Sequence, residues 1–182
     1  MTLPKLLLVA ATAVLLFLHP AAADEFSLLV AGIEMRLGMP KKPLLTQLRS
    51  QYKLTQIGGK DSYFIMEKRG DEYRIVGGVS FQDNKVSLLS RNWGTFYGKS
   101  AVGLANELHS ALENLQEASR QPIVIYLPKT QGVPGQRFTE IKFLSGMRML
   151  TLLIVEGDDH QISLQEEIEI LPKGIEEVLP TR

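Results

Sequence analysis

Cysteine is absent from this 182-residue chain. Its absence excludes disulfides, thiol catalysis, thiolate metal sites and a lipid carried on cysteine. An excess of charge of either sign is missing too. Twenty Lys and Arg stand against twenty Asp and Glu, and a balanced chain lacks the electrostatic footprint of a general nucleic-acid binder. No Asn-x-Ser/Thr sequence occurs, so nothing marks the chain as a glycosylated ectodomain. No Walker sequence and no Gly-x-Ser-x-Gly elbow is present; Gly132-Val133-Pro134-Gly135 lacks the lysine and the following helix of a phosphate loop.

One long apolar run is present, and it is terminal. Lys5 precedes Leu6 to Leu18, a run interrupted only by Thr12. His19-Pro20 ends it, and Ala21-Ala22-Ala23 places small residues before Asp24-Glu25. This is the three-part layout of a secretory signal peptide, so cleavage is expected after Ala23. The alternative is an uncleaved anchor, but a membrane-crossing helix needs about 20 apolar residues and this run is shorter. The expected location is therefore outside the cytoplasm, periplasmic or extracellular, or anchored by the retained segment. Cleavage would leave 159 residues with a net charge of −1, enough for one ordinary domain or two small ones.

Residues 26–38 fit either a short helix or a first strand. Met39-Pro40-Lys41-Lys42-Pro43 stops and restarts the chain, and Leu44, Leu45, Leu48 and Tyr52 then follow a helical spacing. Residues 63–68, 73–81 and 85–93 read as strands joined by short polar turns, an antiparallel meander. A Gly-containing connection, 92–99, leads to Ser100 as N-cap. Ala101, Leu104, Ala105, Leu108, Ala111, Leu112 and Leu115 then define the clearest helix in the chain. A second β-rich run follows, with strands at 123–127, 137–143, 147–155 and 160–168, a loop at 128–136 and a helical turn at 175–179.

The expected fold is α+β: an antiparallel sheet with helices 43–52 and 100–117 packed on one face. The organisation divides into a signal peptide (1–23), a helix-plus-meander half (24–98) and a second half with the long helix (99–182), on one shared core or two. The stretch Asp83-Asn84-Lys85-Val86-Ser87-Leu88 is echoed by Asp159-His160-Gln161-Ile162-Ser163-Leu164, which raises an internal duplication.

Leu37-Gly38-Met39-Pro40-Lys41-Lys42-Pro43-Leu44-Leu45 is similar to the helix opening of SmpA/OmlA-type domains. Val79-Ser80-Phe81-Gln82-Asp83-Asn84-Lys85-Val86 is similar to the hairpin of the same family, found in outer-membrane assembly lipoproteins and β-lactamase-inhibitor-like proteins. The resemblance covers residues 32–93. It implies helices laid on an antiparallel sheet and action by protein contact, with no catalytic residues. The lipid-bearing cysteine is missing, and about 90 further residues follow.

Candidate chemistry is thin. Asp158-Asp159-His160 groups potential metal ligands, but consecutive turn residues point apart, so a solvated turn is expected. His109 and Glu113 lie four apart on the long helix, the spacing of an ordinary surface pair. Glu166, Glu167 and Glu169 are expected on a solvated sheet edge, with Glu167 and Glu169 on one face. Asn92-Trp93-Gly94-Thr95-Phe96-Tyr97 places three aromatics in the connection before the long helix. Trp93, Phe96 and Tyr97 are either a core plug or a partner-binding patch. The reading is a non-enzymatic exported protein that binds another protein or an envelope component, with no catalytic residue, metal, cofactor or nucleic acid. The alternative is a small-ligand binder or enzyme with a pocket between helix 100–117 and the sheet, near His109.

Overall fold

A computed structural model describes residues 26–97, 101–156 and 160–170. Residues 1–23, Ser100, Asp158, Asp159 and the tail at 175–179 lie outside the described residues, and so do the readings placed on them. The chain begins with a hairpin, β1 (Ser27–Val30) and β2 (Ile33–Arg36), then a nine-residue helix α1 (Lys41–Arg49). Four strands follow: β3 (Lys53–Gln56), β4 (Ser62–Arg69), β5 (Glu72–Gln82) and β6 (Lys85–Tyr97). The long helix α2 (Ala101–Ser119) leads to β7 (Val124–Val133), β8 (Gln136–Ser145), β9 (Arg148–Glu156) and β10 (Gln161–Glu169).

The α+β expectation is corrected here: among the described residues the protein is mostly β, 60% strand against 19% helix. Three segments account for the difference. Residues 26–38 form a hairpin, because Ala31 and Gly32 take positive φ (51° and 82°) and turn the chain back on itself. The connection at 92–97 is the end of β6, and most of the loop at 128–136 belongs to β7 and β8. Pro128 is accommodated because β7 is an edge strand and its pairing with β8 shifts between Tyr126 and Lys129.

The main sheet has eight antiparallel strands in the order β3-β4-β5-β6-β10-β9-β8-β7. Two runs of helix followed by four strands therefore meet along their last strands, β6 and β10, and the order reads outward alike from that seam. The echo at 83–88 and 159–164 falls at the start of those two strands. Val86 and Ile162 both face the helices, but a register shift at Ser87 then moves Leu88 to the opposite face from Leu164.

Both helices and the hairpin cover one face, here the inner face. Leu44, Leu45 and Leu48 of α1 and Leu28, Val30, Ile33 and Met35 of the hairpin pack on Ile65, Val79, Phe81, Val86, Leu89 and Ile168. Ala111 and Leu115 of α2 pack on Phe143, Leu150, Leu152 and Leu164. Backbone bonds seat α1 beside β6: Gly38 N–H donates to Val86 O at 2.8 Å, and Lys41 N–H to Asn84 O at 2.9 Å. At the other end of α2, Ser119 Oγ donates to Leu115 O at 2.9 Å and touches Ser145 Oγ, which donates to Gln121 O at 2.8 Å. These hydroxyls tie the helix end to β8 in place of water.

Candidate functional site

The chemistry of the inner face concentrates at the seam between the two covers. Glu166 alternates in register with Ile162, Leu164 and Ile168, so the strand carries it under the helices, where it is 0% exposed. A carboxylate there requires compensation, and two arginines supply it. Arg91, opposite Glu166 on β6, places Nη2 2.5 Å from Oε2; Arg148, from the start of β9, places Nη1 2.7 Å from Oε1. The indole N–H of Trp93 donates to Oε2 at 3.0 Å, and the Arg91 guanidinium stacks 3.9 Å from the Trp93 ring. Arg148 is as deeply buried as its partner, with 3% of its side chain exposed.

The cluster carries one positive charge in excess, and the hairpin explains why. Strand β1 lays its backbone edge against the main sheet, where the buried Ser27 carbonyl requires a donor. Arg148 Nη2 donates to Ser27 O, and Arg91 Nη1 reaches Leu29 O at 3.4 Å. Gly77, opposite Arg91 on β5, makes the approach feasible. A Cβ there would collide with Ser90 O and lie 2.5 Å from Cγ1 of Val30. The arginines thus latch the hairpin, and Glu166 holds the arginines. Glu166 was expected on a solvated edge; β10 instead lies at the sheet centre, between β6 and β9, which corrects that placement. Arg91 and Arg148 are not singled out by the sequence, and Glu166 is read there only as one of three solvated carboxylates. The available signal was a single glutamate in an otherwise apolar alternation.

The three aromatics expected as a patch are separated. Trp93 is the extra residue where β6 slips against β10 between Asn92 and Gly94, and it is committed to Glu166. Phe96, opposite Ile162, also faces the helices, its ring folded over Gly94. Tyr97 points to the other face and is 66% exposed. His109 and Glu113 form a surface pair at 3.3 Å, with His109 74% exposed on the side of α2 away from the sheet. The side of α2 toward the sheet is apolar: Leu104, Leu108 and Leu112 pack around Ala111 and Leu115.

The outer face of the sheet has no covering element among the described residues. On the first half it carries Phe64, Met66, Tyr73 and Ile75, of which Phe64, Tyr73 and Ile75 are exposed. On the second it carries Leu144, Met149, Leu153 and Val155, half-buried by their neighbours, and the exposed Val124 and Tyr126 of β7. Between them runs the outer side of β10, with Gln165, Glu167 and Glu169. The Glu167 carboxyl is held above its ordinary value, first by burial and then by the charge of Glu169, with Lys142 and a bond from Gln165 opposing. Glu140 and Lys142 pair at 3.2 Å on the same face. Comparison of the chain with protein-family models, with curated proteins and with solved structures finds no match.

Proposed function

We propose that this chain is an exported, non-enzymatic protein that binds another protein or an envelope component through the outer face of its sheet. The observation that carries the reading is the amphipathic sheet itself: one face is covered by α1, α2 and the hairpin across its central strands, and the other presents apolar side chains from most of its strands. Contiguous exposed apolar surface of several hundred Å² marks interaction sites on soluble proteins. The reading also draws on the signal-like N-terminus and on the SmpA/OmlA-like motifs at 37–45 and 79–86, whose family acts by contact. Trp93 leaves the proposed binding surface, being engaged with Glu166; Tyr97 and Ile75 take its place.

The test is capture from intact envelopes. The chain should retain a stable partner, Ile75→Lys should lose it with an unchanged melting curve, and the exported protein should begin at Asp24. A partner held equally well by Ile75→Lys would overturn the assigned surface. Discovery that the captured molecule is a small ligand bound beneath α2 would favour the alternative reading.

A further inference from the structure

We infer that the open edge of β7 is a pairing site for β7 of a second copy, joined antiparallel about a two-fold axis through Ile125. The inference goes beyond outer-face docking, because this edge belongs to neither face of the sheet. The sheet ends in two unlike edges. Strand β3 is four residues long and begins with Lys53, the short charged form that discourages pairing. Strand β7 has ten residues, and its second part is blunted by Pro128, by the register shift between Tyr126 and Lys129, and by the Lys129 charge. Its first part has no such protection. Ile123-Val124-Ile125-Tyr126-Leu127 holds no charge and no proline and has high strand propensity, and Val124, Ile125 and Tyr126 are all exposed. Among the described residues no strand pairs with this edge.

The direction of its backbone groups follows from the neighbouring hairpin. Gly146-Met147 is a two-residue turn, so the flanking Ser145 and Arg148 exchange backbone bonds. These groups alternate along a strand. Leu144 and Lys142 therefore bond toward β7, and their partners Val124 and Tyr126 bond back. Ile125 and Leu127, with Ile123 just before the strand, are left aiming N–H and C=O away from the sheet.

A two-fold axis through Ile125 pairs that residue with its own copy, Val124 with Tyr126, and Ile123 with Leu127. Every outward N–H of the stretch then meets a C=O of the second copy. Sliding the register by two residues leaves Ile123 or Leu127 without a partner, so the sequence selects this alignment. Pro122 and Pro128 stand equally far from Ile125, so each faces the other across the axis and closes the paired stretch. The side chains agree on both faces. On the inner side, the row Leu150, Phe143, Ile125 continues into Ile125, Phe143 and Leu150 of the second copy. On the outer side, Leu144 and Val124 meet Tyr126 and Lys142 of the second copy, an aromatic beside a β-branched residue. The next pair outward, Gln121 with Lys129, brings no like charges together. Helix α2 packs over β8, β9 and β10 and leaves the edge clear. Each copy has one such stretch, so pairing closes at a dimer. Five residues per copy make a small interface, so association is reversible and depends on concentration.

The test uses the full chain, which has no cysteine of its own. Light scattering across a concentration series should show the mass rising from one chain to two. Ile125→Pro removes the outward N–H at the axis, a substitution that an edge strand accepts. It should raise the dissociation constant by roughly tenfold or more, the effect of two lost backbone bonds, with unchanged circular dichroism in dilute solution. Under mild oxidation Ile125→Cys should crosslink to itself. Val133→Cys, exposed on the same strand, should not, because its two copies lie roughly 50 Å apart at about 3.3 Å per residue. If Ile125→Pro fails to fold, the crosslinking pattern decides. A monomer at all concentrations would overturn the inference. So would a dimer that Ile125→Cys does not crosslink, since another surface would then join the copies. A chain that dimerises only after removal of residues 171–182 would overturn it as well, because that segment would then be the occupant of the edge. Loss of a captured envelope partner in Ile75→Lys, with dimerisation intact, would separate this edge from the outer-face reading and support both.

Discussion

The two halves of this protein carry the same four-strand meander under different covers. The second half is closed by one helix, α2, long enough for its apolar stripe to cover β8, β9 and β10. The first has only the nine-residue α1, which covers too little of four strands; the β1–β2 hairpin completes the layer. The choice has a chemical consequence. A helix satisfies its own backbone, so its cover can end in apolar side chains. A hairpin presents a backbone edge, and burying that edge against a sheet leaves carbonyls that only donors can satisfy. The arginine–glutamate cluster stands where the hairpin meets the seam, and the second half has no counterpart to it among the described residues.

The largest test of this contrast is Glu166→Gln. It leaves Arg148 and Arg91 buried beside a neutral amide, and breaking a buried ion pair by removing one partner costs about 3–5 kcal/mol. Denaturant unfolding should register a loss of that size, with hydrogen exchange rising first in the hairpin. Replacing the set together, as Glu166→Leu with Arg148→Met and Arg91→Met, should recover part of the loss in the seam while removing the bonds that the arginines give to Ser27 O and Leu29 O. If the triple variant exchanges no faster in the hairpin than the wild type, the latch account is wrong.

The covers themselves are compared by Leu48→Ala in α1 and Leu115→Ala in α2, both wholly buried. Each should cost about 2–5 kcal/mol. The two residues lie in separate clusters, so their effects should add within about 0.5 kcal/mol. Clear non-additivity would mean that the halves share one cooperative core rather than meeting at a seam. Smaller than either is Gly77→Ala. Its methyl group would push on Val30 and on Ser90 O, so the hairpin should lift at a cost of about 1–3 kcal/mol, while α2 keeps its protection from exchange.

Much of this architecture is legible in the chain, and the failures have a common cause. The helix at 101–119 follows from its apolar spacing alone, and two hairpins follow from the turn residues at 82–84 and 144–146, the chain turning at Asp83–Asn84 and at Gly146–Met147. The first strands were ambiguous because residues 26–38 contain apolar residues at both periods. A two-residue turn with Ala31 in the left-handed region leaves little trace in sequence. The aromatic segment at 92–97 read as a loop because Gly94 sits in it, yet Gly94 serves to let the Phe96 ring lie flat. What sequence could not give is neighbourhood. Nothing in β10 says that it joins β6 rather than lying at an edge, and that single fact converts Glu166 from a solvated charge into the centre of a latch.

Glu167, the next residue, gives the smallest and most discriminating prediction, because it lies on the other face of the same strand. Its carboxyl is raised above the ordinary 4.5 by burial and by Glu169. The folded chain therefore holds this proton more tightly than the unfolded chain does. The sign is opposite to that of a salt-bridged acid: ionising Glu167 opposes folding above its raised folded value, and the penalty fades as pH falls through that value toward 4.5 and is gone below it. Glu167→Gln should therefore be slightly more stable than the wild type at neutral pH, with the advantage shrinking toward the acid end. Unfolding curves of the two proteins across that window check it. A constant difference would place the destabilisation elsewhere than in this carboxyl.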